Sequence, residues 1–416
     1  MFSWWRESKL SSFKDLELSP LILKGVYAAG FEQPFPIQEK AIKPLLDGSD
    51  VIGQARTGSG KTAAYGLPLL NNINTDNYSV QGLILAPTRE LAIQITRDIK
   101  KLGKFISVKT LTIYGGQSIN LQFEALRRGP HIIVGTPGRV IDHLKRGTLD
   151  LKSTKFVVLD EADTMLEMGF IEDVEYIMDS ISGRKQLSLF SATMPSRIIK
   201  LSSKYMHNPE RILIDSDEPS VDTLDQYYTV VERDDKLPTL LNIMTEEKPS
   251  STIIFCRTRH RTRQLARGLR HMNAVPLHGD LSQNQRDYSM SCFRSGRADV
   301  LVATDVASRG IDIRQVDCVI NYEVPDNPLL YFHRVGRTAR AGDSGKSFTL
   351  VSPDEFPDFN HILELTKAPI KPLRPEDEGR NFRNTHSKSN RPFKHKKFRR
   401  KDKLSESRYK WWRFDS

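Results

Sequence analysis

Val51-Ile52-Gly53-Gln54-Ala55-Arg56-Thr57-Gly58-Ser59-Gly60-Lys61-Thr62 is the stretch whose reading decides the fold. An apolar β-branched run, Val51–Gln54, leads into a glycine-rich turn, and a helical pattern opens at Lys61. Backbone N–H groups in such a turn, with the helix N-terminus behind them, form a cradle for phosphate. Ala55, Thr57, Gly58, Ser59 and Gly60 supply the cradle, Lys61 can reach β- and γ-phosphates, and the Thr62 hydroxyl can ligate Mg²⁺. The general G-x-x-x-x-G-K-[ST] pattern has glycine where this chain has Ala55.

A second element supports the reading. Phe156-Val-Val-Leu-Asp160-Glu161-Ala162-Asp163 ends an apolar strand on adjacent carboxylates, where ligands of open α/β sheets sit. Asp160 can hold Mg²⁺ directly or through water, and Glu161 can polarise an attacking water.

Outward from these two segments, short apolar runs alternate with longer helical stretches. Gln81–Ala86, His131–Gly135, Phe156–Leu159 and Leu187–Phe190 read as strands buried on both faces. The alternation predicts a mainly parallel sheet flanked by helices. It breaks at the polar segment Asp215-Ser-Asp-Glu-Pro-Ser-Val-Asp222, then restarts with Gln226–Val231, Thr252–Cys256, Asp299–Ala303, Cys318–Tyr322 and Ser347–Val351. The expected organisation is an α/β domain over 1–212, a linker over 213–223, a second α/β domain over 224–372 and a disordered tail over 373–416.

Charge singles out the tail. Residues 380–416 hold 14 of the 62 Lys/Arg but 3 of the 51 Asp/Glu, so residues 1–379 carry 48 of each sign. The tail mixes cations with aromatics, as in Arg391-Pro-Phe-Lys-His-Lys-Lys-Phe-Arg-Arg-Lys401, a composition suited to phosphates and unpaired bases. A solubilising tail and a nuclear-import signal are its other readings. Trp-Trp-Arg occurs at both ends, at Trp4–Arg6 and Trp411–Arg413, with no physical account for the repetition. No run approaches the ~18 apolar residues of a membrane span. Cys256, Cys292 and Cys318 fit neither a zinc spacing nor a disulfide framework, which points to a reducing cytoplasm.

Asp160-Glu161-Ala162-Asp163 resembles the signature of the DEAD-box RNA helicases of helicase superfamily two, and motifs similar to that family's run in its order from Phe13 to Val351. The resemblance implies two tandem RecA-like domains, with ATP and Mg²⁺ as cofactors and RNA or ribonucleoprotein as partner. It implies adenine recognition by Gln38 with the upstream Phe13 packed on the base, although Phe35 stands where threonine is usual. It implies RNA contacts at Thr88, Arg89, Gly116, Thr136, Gly138, Arg139 and Thr304. Asp163, Ser191, Thr193 and His333 would couple nucleotide state to strand separation, while Gly310 and Asp312 would approach the nucleotide. Arg337 and Arg340 resemble arginine fingers, which phosphoryl transfer needs because charge spreads over the γ-phosphate oxygens. Without that context, Arg334, Arg337 and Arg340 would read as a solvated basic helix face.

The sequence therefore predicts an RNA-stimulated ATPase that opens short duplexes locally, with little sequence choice. An ATP-gated RNA clamp with little unwinding is the alternative. A DNA translocase of the same superfamily fits less well, because Asp160–Asp163 and Gln38 resemble the RNA-directed members.

Overall fold

The computed structural model describes residues 12–55, 58–183, 185–214, 224–308, 316–338, 345–366 and 369–377. Two seven-stranded sheets organise them, and every pairing is parallel. The first comprises β1 (Val51–Gln54), β2 (Gly82–Leu85), β3 (Thr110–Ile113), β4 (Ile132–Gly135), β5 (Phe156–Asp160), β6 (Gln186–Ser191) and β7 (Glu210–Leu213), in the order β3-β4-β2-β5-β6-β1-β7. The second comprises β8 (Leu224–Val230), β9 (Thr252–Cys256), β10 (Ala274–Leu277), β11 (Val300–Thr304), β12 (Cys318–Asn321), β13 (Gly345–Val351) and β14 (Lys371–Pro372), in the order β10-β11-β9-β12-β13-β8-β14.

Helices cover both faces of each sheet, which is why the central strands are apolar throughout. One core of the first sheet joins Phe13, Ile37 and Ile42 to the helix Lys61–Asn72, and the other gathers Met165, Val174 and Ile198 on the opposite face. The second sheet repeats the plan, with Leu240 and Phe348 on one side and Phe255 and Met290 on the other.

The expected central strands are present within a residue or two. The edge strands β3, β7, β10 and β14 went unread, because each has partly exposed or polar positions and breaks the apolar run. The boundary at 372 is corrected. Leu373 N donates to Tyr228 O (2.7 Å), Val230 N to Asp377 Oδ1 (3.2 Å), and Asp377 is buried. Residues 373–377 thus belong to the second sheet's edge. Of the expected linker 213–223, Leu213 closes β7 and Ile214 N donates to Gln54 O (3.1 Å), while residues 215–223, both Trp-Trp-Arg segments and the basic tail lie outside the described residues.

Candidate functional site

β1, β6 and β5 are neighbours, so their carboxyl ends carry the phosphate loop, Ser191-Ala192-Thr193 and Asp160–Asp163 side by side. Gln54 pairs with Ser191 and Phe190 with Asp160, which levels the three strand ends. Ala55 extends the ladder, its N–H donating to Ser191 O at 3.1 Å. Gly60 begins the helix Lys61–Asn72 at φ +88°, where a Cβ would stand 2.4 Å from Gln38 Nε2, so glycine is needed twice over. Lys61 is buried, and its Nζ donates to Ala55 O at 2.8 Å across the loop.

Asp160 is 3% exposed and both its oxygens accept, from Tyr65 Oη (2.8 Å) and from Glu161 N (2.9 Å). Burial raises its pKa, against the pull of Lys61. Burial, then the Asp160 charge, pushes Glu161 up to about 6, while Lys61 and Arg337 act against the rise. Glu161 sits at φ 51°, ψ 53°, left-handed backbone that costs a non-glycine residue about 1–3 kcal/mol. Asp160, Glu161, Gly58, Gly60, Lys61 and Thr62 line one cavity of about 330 Å³.

The upstream aromatic of the expected adenine site lies in the core beside the cavity. Phe13 has no exposed surface and meets Phe31 edge-on, with ring centroids 6.1 Å apart. Phe31 and Phe35 line the cavity, and Phe13 packs directly behind Phe31. Gln38 is also fully buried. Its Oε1 accepts from Phe35 N and its Nε2 donates to Gly60 O, both at 3.0 Å, so it braces the turn at residue 35 against the phosphate loop.

Asp163 ties β5 to the end of β6. Its Oδ2 accepts from Ala192 N (3.1 Å), Thr193 N (2.8 Å) and Thr193 Oγ1 (3.1 Å), while its N–H donates to Ser191 Oγ (3.2 Å). Ser191 Oγ donates onward to Thr193 O (2.7 Å).

The candidate RNA residues on the first sheet lie at strand ends and helix starts. Thr88 caps the helix Arg89–Leu102 through Leu91 N (3.3 Å). Gly116, at φ +88°, lies so close to Arg89 that a Cβ would be 2.2 Å from its Nη1. Thr136 stands at the start of the helix Pro137–Lys145, Gly138 faces open space, and Arg139 Nη1 donates to Gln117 O (3.2 Å) and Gln122 Oε1 (3.0 Å). Thr304, the last residue of β11, is buried.

The two sheets meet near Arg89. Its Nη1 donates to Gln283 Oε1 (3.3 Å), and Arg286 Nη2 lies 2.6 Å from Glu90 Oε1, an ion pair without hydrogen-bond alignment. Arg337 is 7% exposed. Arg334 is not part of a solvated basic face: it is 1% exposed and holds Asp305 with two hydrogen bonds (2.6 and 2.8 Å), Asn321 Oδ1 (3.1 Å) and Glu323 O (2.8 Å). His333 is half-buried on the same helix, Pro328–Val335. Thr57, Gly310, Asp312 and Arg340 lie outside the described residues.

Comparison with known proteins follows the same division. The sequence matches the DEAD/DEAH box helicase family over residues 35–201 and the helicase conserved C-terminal domain over residues 235–342. It is 45% identical to the DEAD-box ATP-dependent RNA helicase CshA of Geobacillus kaustophilus over 368 residues, which cover 88% of this chain and 79% of that one. The chain belongs to the DEAD-box helicase family. Bacillus cereus CshA is 46% identical, with 86% and 69% covered. Among solved structures, S. cerevisiae Dbp5 bound to RNA and ADP BeF3 matches this DEAD-box chain with a TM-score of 0.78 at 33% identity, covering 88% of this chain and 97% of that one. A DEAD box protein from Methanococcus jannaschii matches at 0.52 despite 41% identity, with 88% and 99% covered.

Sequence reasoning missed several parts of the DEAD-box site. Tyr65 donates to Asp160, and its position four residues after Lys61, on the same helix face, was the available signal. Gln122 joins Arg139 to His143 (2.9 Å), and no local pattern marks it. The Glu90–Arg286 contact is a property of two sheets meeting, which no single segment encodes.

Proposed function

We propose that this DEAD-box protein is an ATP-dependent RNA helicase whose hydrolytic site is completed when its two sheets close on nucleotide and RNA. One observation carries the reading: Lys61, Asp160 and Glu161 converge at adjacent strand ends of the first sheet, while Arg337 comes from the second. The phosphate loop holds the triphosphate, and Lys61 exchanges its Ala55 partner for phosphate oxygens. Glu161 in its ionised form accepts a proton from the attacking water. Arg337, and Arg340 on the family pattern, neutralise charge on the transferring group.

The donor set suits Mg²⁺. Asp160 is a buried carboxylate beside the loop with Thr62 in the same cavity, and Mg²⁺ takes one or two such ligands, keeps waters and binds phosphate oxygens. When bound it would supply charge neutralisation on the phosphates. Thr88, Arg89, Gly116, Thr136, Gly138, Arg139 and Thr304 form a backbone-reading track, so opening should be local and sequence-tolerant. Asp163, Ser191, Thr193 and His333 couple the nucleotide to that track. No described helix is long and apolar enough to cross a membrane, and we place the protein in the cytoplasm.

The test is ATP hydrolysis measured with RNA, with DNA and with neither, alongside separation of a short RNA duplex. RNA alone should stimulate hydrolysis, and duplex opening should require ATP. Equal rates in all three conditions would reject the reading.

A further inference from the structure

The segment from Arg257 to His271 contains six arginines, at 257, 259, 261, 263, 267 and 270, and no acidic residue occurs from Ser251 to Gly279. Residues 1–379 are otherwise balanced in charge, so this excess is local. None of the six is lysine, and the planar guanidinium fork matches phosphate bidentately where an ammonium does not.

The fold arranges four of these cations in a line, while Arg257 and Arg261 pair with Asp358 and Glu323. Thr258 caps the helix Arg259–Gly268, which buries Thr262, Leu265 and Ala266. At about 100° per residue, Arg259, Arg263 and Arg267 fall within about 80° of each other on one side of that helix. Arg270 follows in the short turn Arg270–Met272.

One end of the line reaches the segment that leads to Gln283. Arg259 and Arg263 both hold Asp280, the latter through Nη2 at 3.0 Å. Asp280 stands three residues before Gln283, which accepts from Arg89, and Arg89 lies against Gly116. At the other end Arg267 and Arg270 are exposed and meet no carboxylate among the described residues. The basic residues 380–416 share their sign and cannot serve as the cover.

We propose that this stripe extends the RNA surface: a strand leaving Arg89 and Gln283 continues along the helix Arg259–Gly268, its phosphates neutralised by Arg267 and Arg270. The inference rests on the RNA reading above and adds a subsite for sequence flanking the opened segment. A linear row of arginines continuous with that track fits a phosphodiester backbone better than it fits an acidic protein segment.

The test uses the full chain with Arg267→Gln/Arg270→Gln and, to keep the charge, Arg267→Lys/Arg270→Lys. Binding to single-stranded RNAs of ~6 and ~20 nucleotides is measured with a non-hydrolysable ATP analogue across salt. On the long strand the glutamine variant should lose about 1.4 from the log–log salt slope, so the wild-type advantage shrinks about sevenfold between roughly 50 and 200 mM. The short strand and hydrolysis without RNA should be unchanged, and the lysine variant should keep the wild-type salt slope because its charge is kept while its affinity falls with the lost fork. Equal weakening on both strands, or no change on either, overturns the proposal, and a selective loss of polyglutamate binding would assign the stripe to acidic protein. Failure of the wild-type chain to bind either RNA would instead reject the underlying RNA reading.

Discussion

Arg286 and Glu90 face each other at 2.6 Å, one following the second sheet's β10, the other opening a helix of the first, with side chains only 14% and 11% exposed. The contact forms only when the two sheets approach, so it stabilises the closed arrangement and contributes nothing to either half alone. Glu90→Ala should strand a poorly solvated guanidinium and cost about 2 kcal/mol of closure, roughly 30-fold. The readout is the RNA concentration needed for half-maximal ATPase stimulation. The exchange Glu90→Arg with Arg286→Glu should recover part of the loss, and failure to do so would deny the pairing its role.

Glu161 gives a prediction with two opposite signs. Its folded pKa of about 6 exceeds the ordinary 4.5, so the native state binds this proton more tightly than the unfolded chain. Stability is therefore lost as pH rises through that window, by about 2 kcal/mol once the group is ionised. Glu161→Gln should abolish RNA-stimulated hydrolysis and yet melt later than wild type at neutral pH without nucleotide. The wild-type kcat/KM should fall below about pH 6 as the base protonates. A glutamine variant that melts earlier at pH 7 would refute the linkage.

Phe31 and Phe13 should separate by assay. Phe31→Ala removes a cavity wall and should raise the KM for ATP about tenfold, with little change in melting. Phe13→Ala empties a core position and should cost about 3–5 kcal/mol of stability. Calorimetry beside ATP titration distinguishes them, and equal effects on KM would assign both rings to the base.

Thr193→Ala deletes one of three donors to Asp163 Oδ2. The loss is about 1 kcal/mol. Hydrolysis should stay within a few-fold of wild type, while duplexes opened per ATP should drop further. A parallel fall in both would mean that the contact only supports the fold.

Arg334 is the buried cation of the second sheet, and its planar fork is what reaches Asp305, Asn321 and Glu323 together. Arg334→Gln should destabilise that half by about 3–5 kcal/mol, because the buried ion pair with Asp305 is broken. Arg334→Lys should rescue little, since a point charge cannot replace a fork. Chemical denaturation monitored on the second half tests both.

What could be read in advance followed from local chemistry. Val51–Thr62 and Phe156–Asp163 announce themselves because strand, turn and ligand are contiguous, and their neighbouring placement follows from a parallel sheet. Taken alone, Arg334 would read as a solvated arginine, because helix periodicity cannot tell one from an arginine whose acceptors, Asp305 and Asn321, arrive from other strands. Gln38 was legible as important but not as a brace, since its partner Gly60 stands 22 residues away. The edge strands escaped because polar positions there are tolerated by water rather than selected by a core.

The three donors gathered on one oxygen of Asp163 leave β5 and β6 almost no play against each other. A displacement at Asp160 or Glu161 as the γ-phosphate arrives or departs has no soft element in which to dissipate before it reaches Thr193. On the coupling proposed above, the strand ends would act as a stiff linkage rather than a relay, so that one part senses both phosphate and strand.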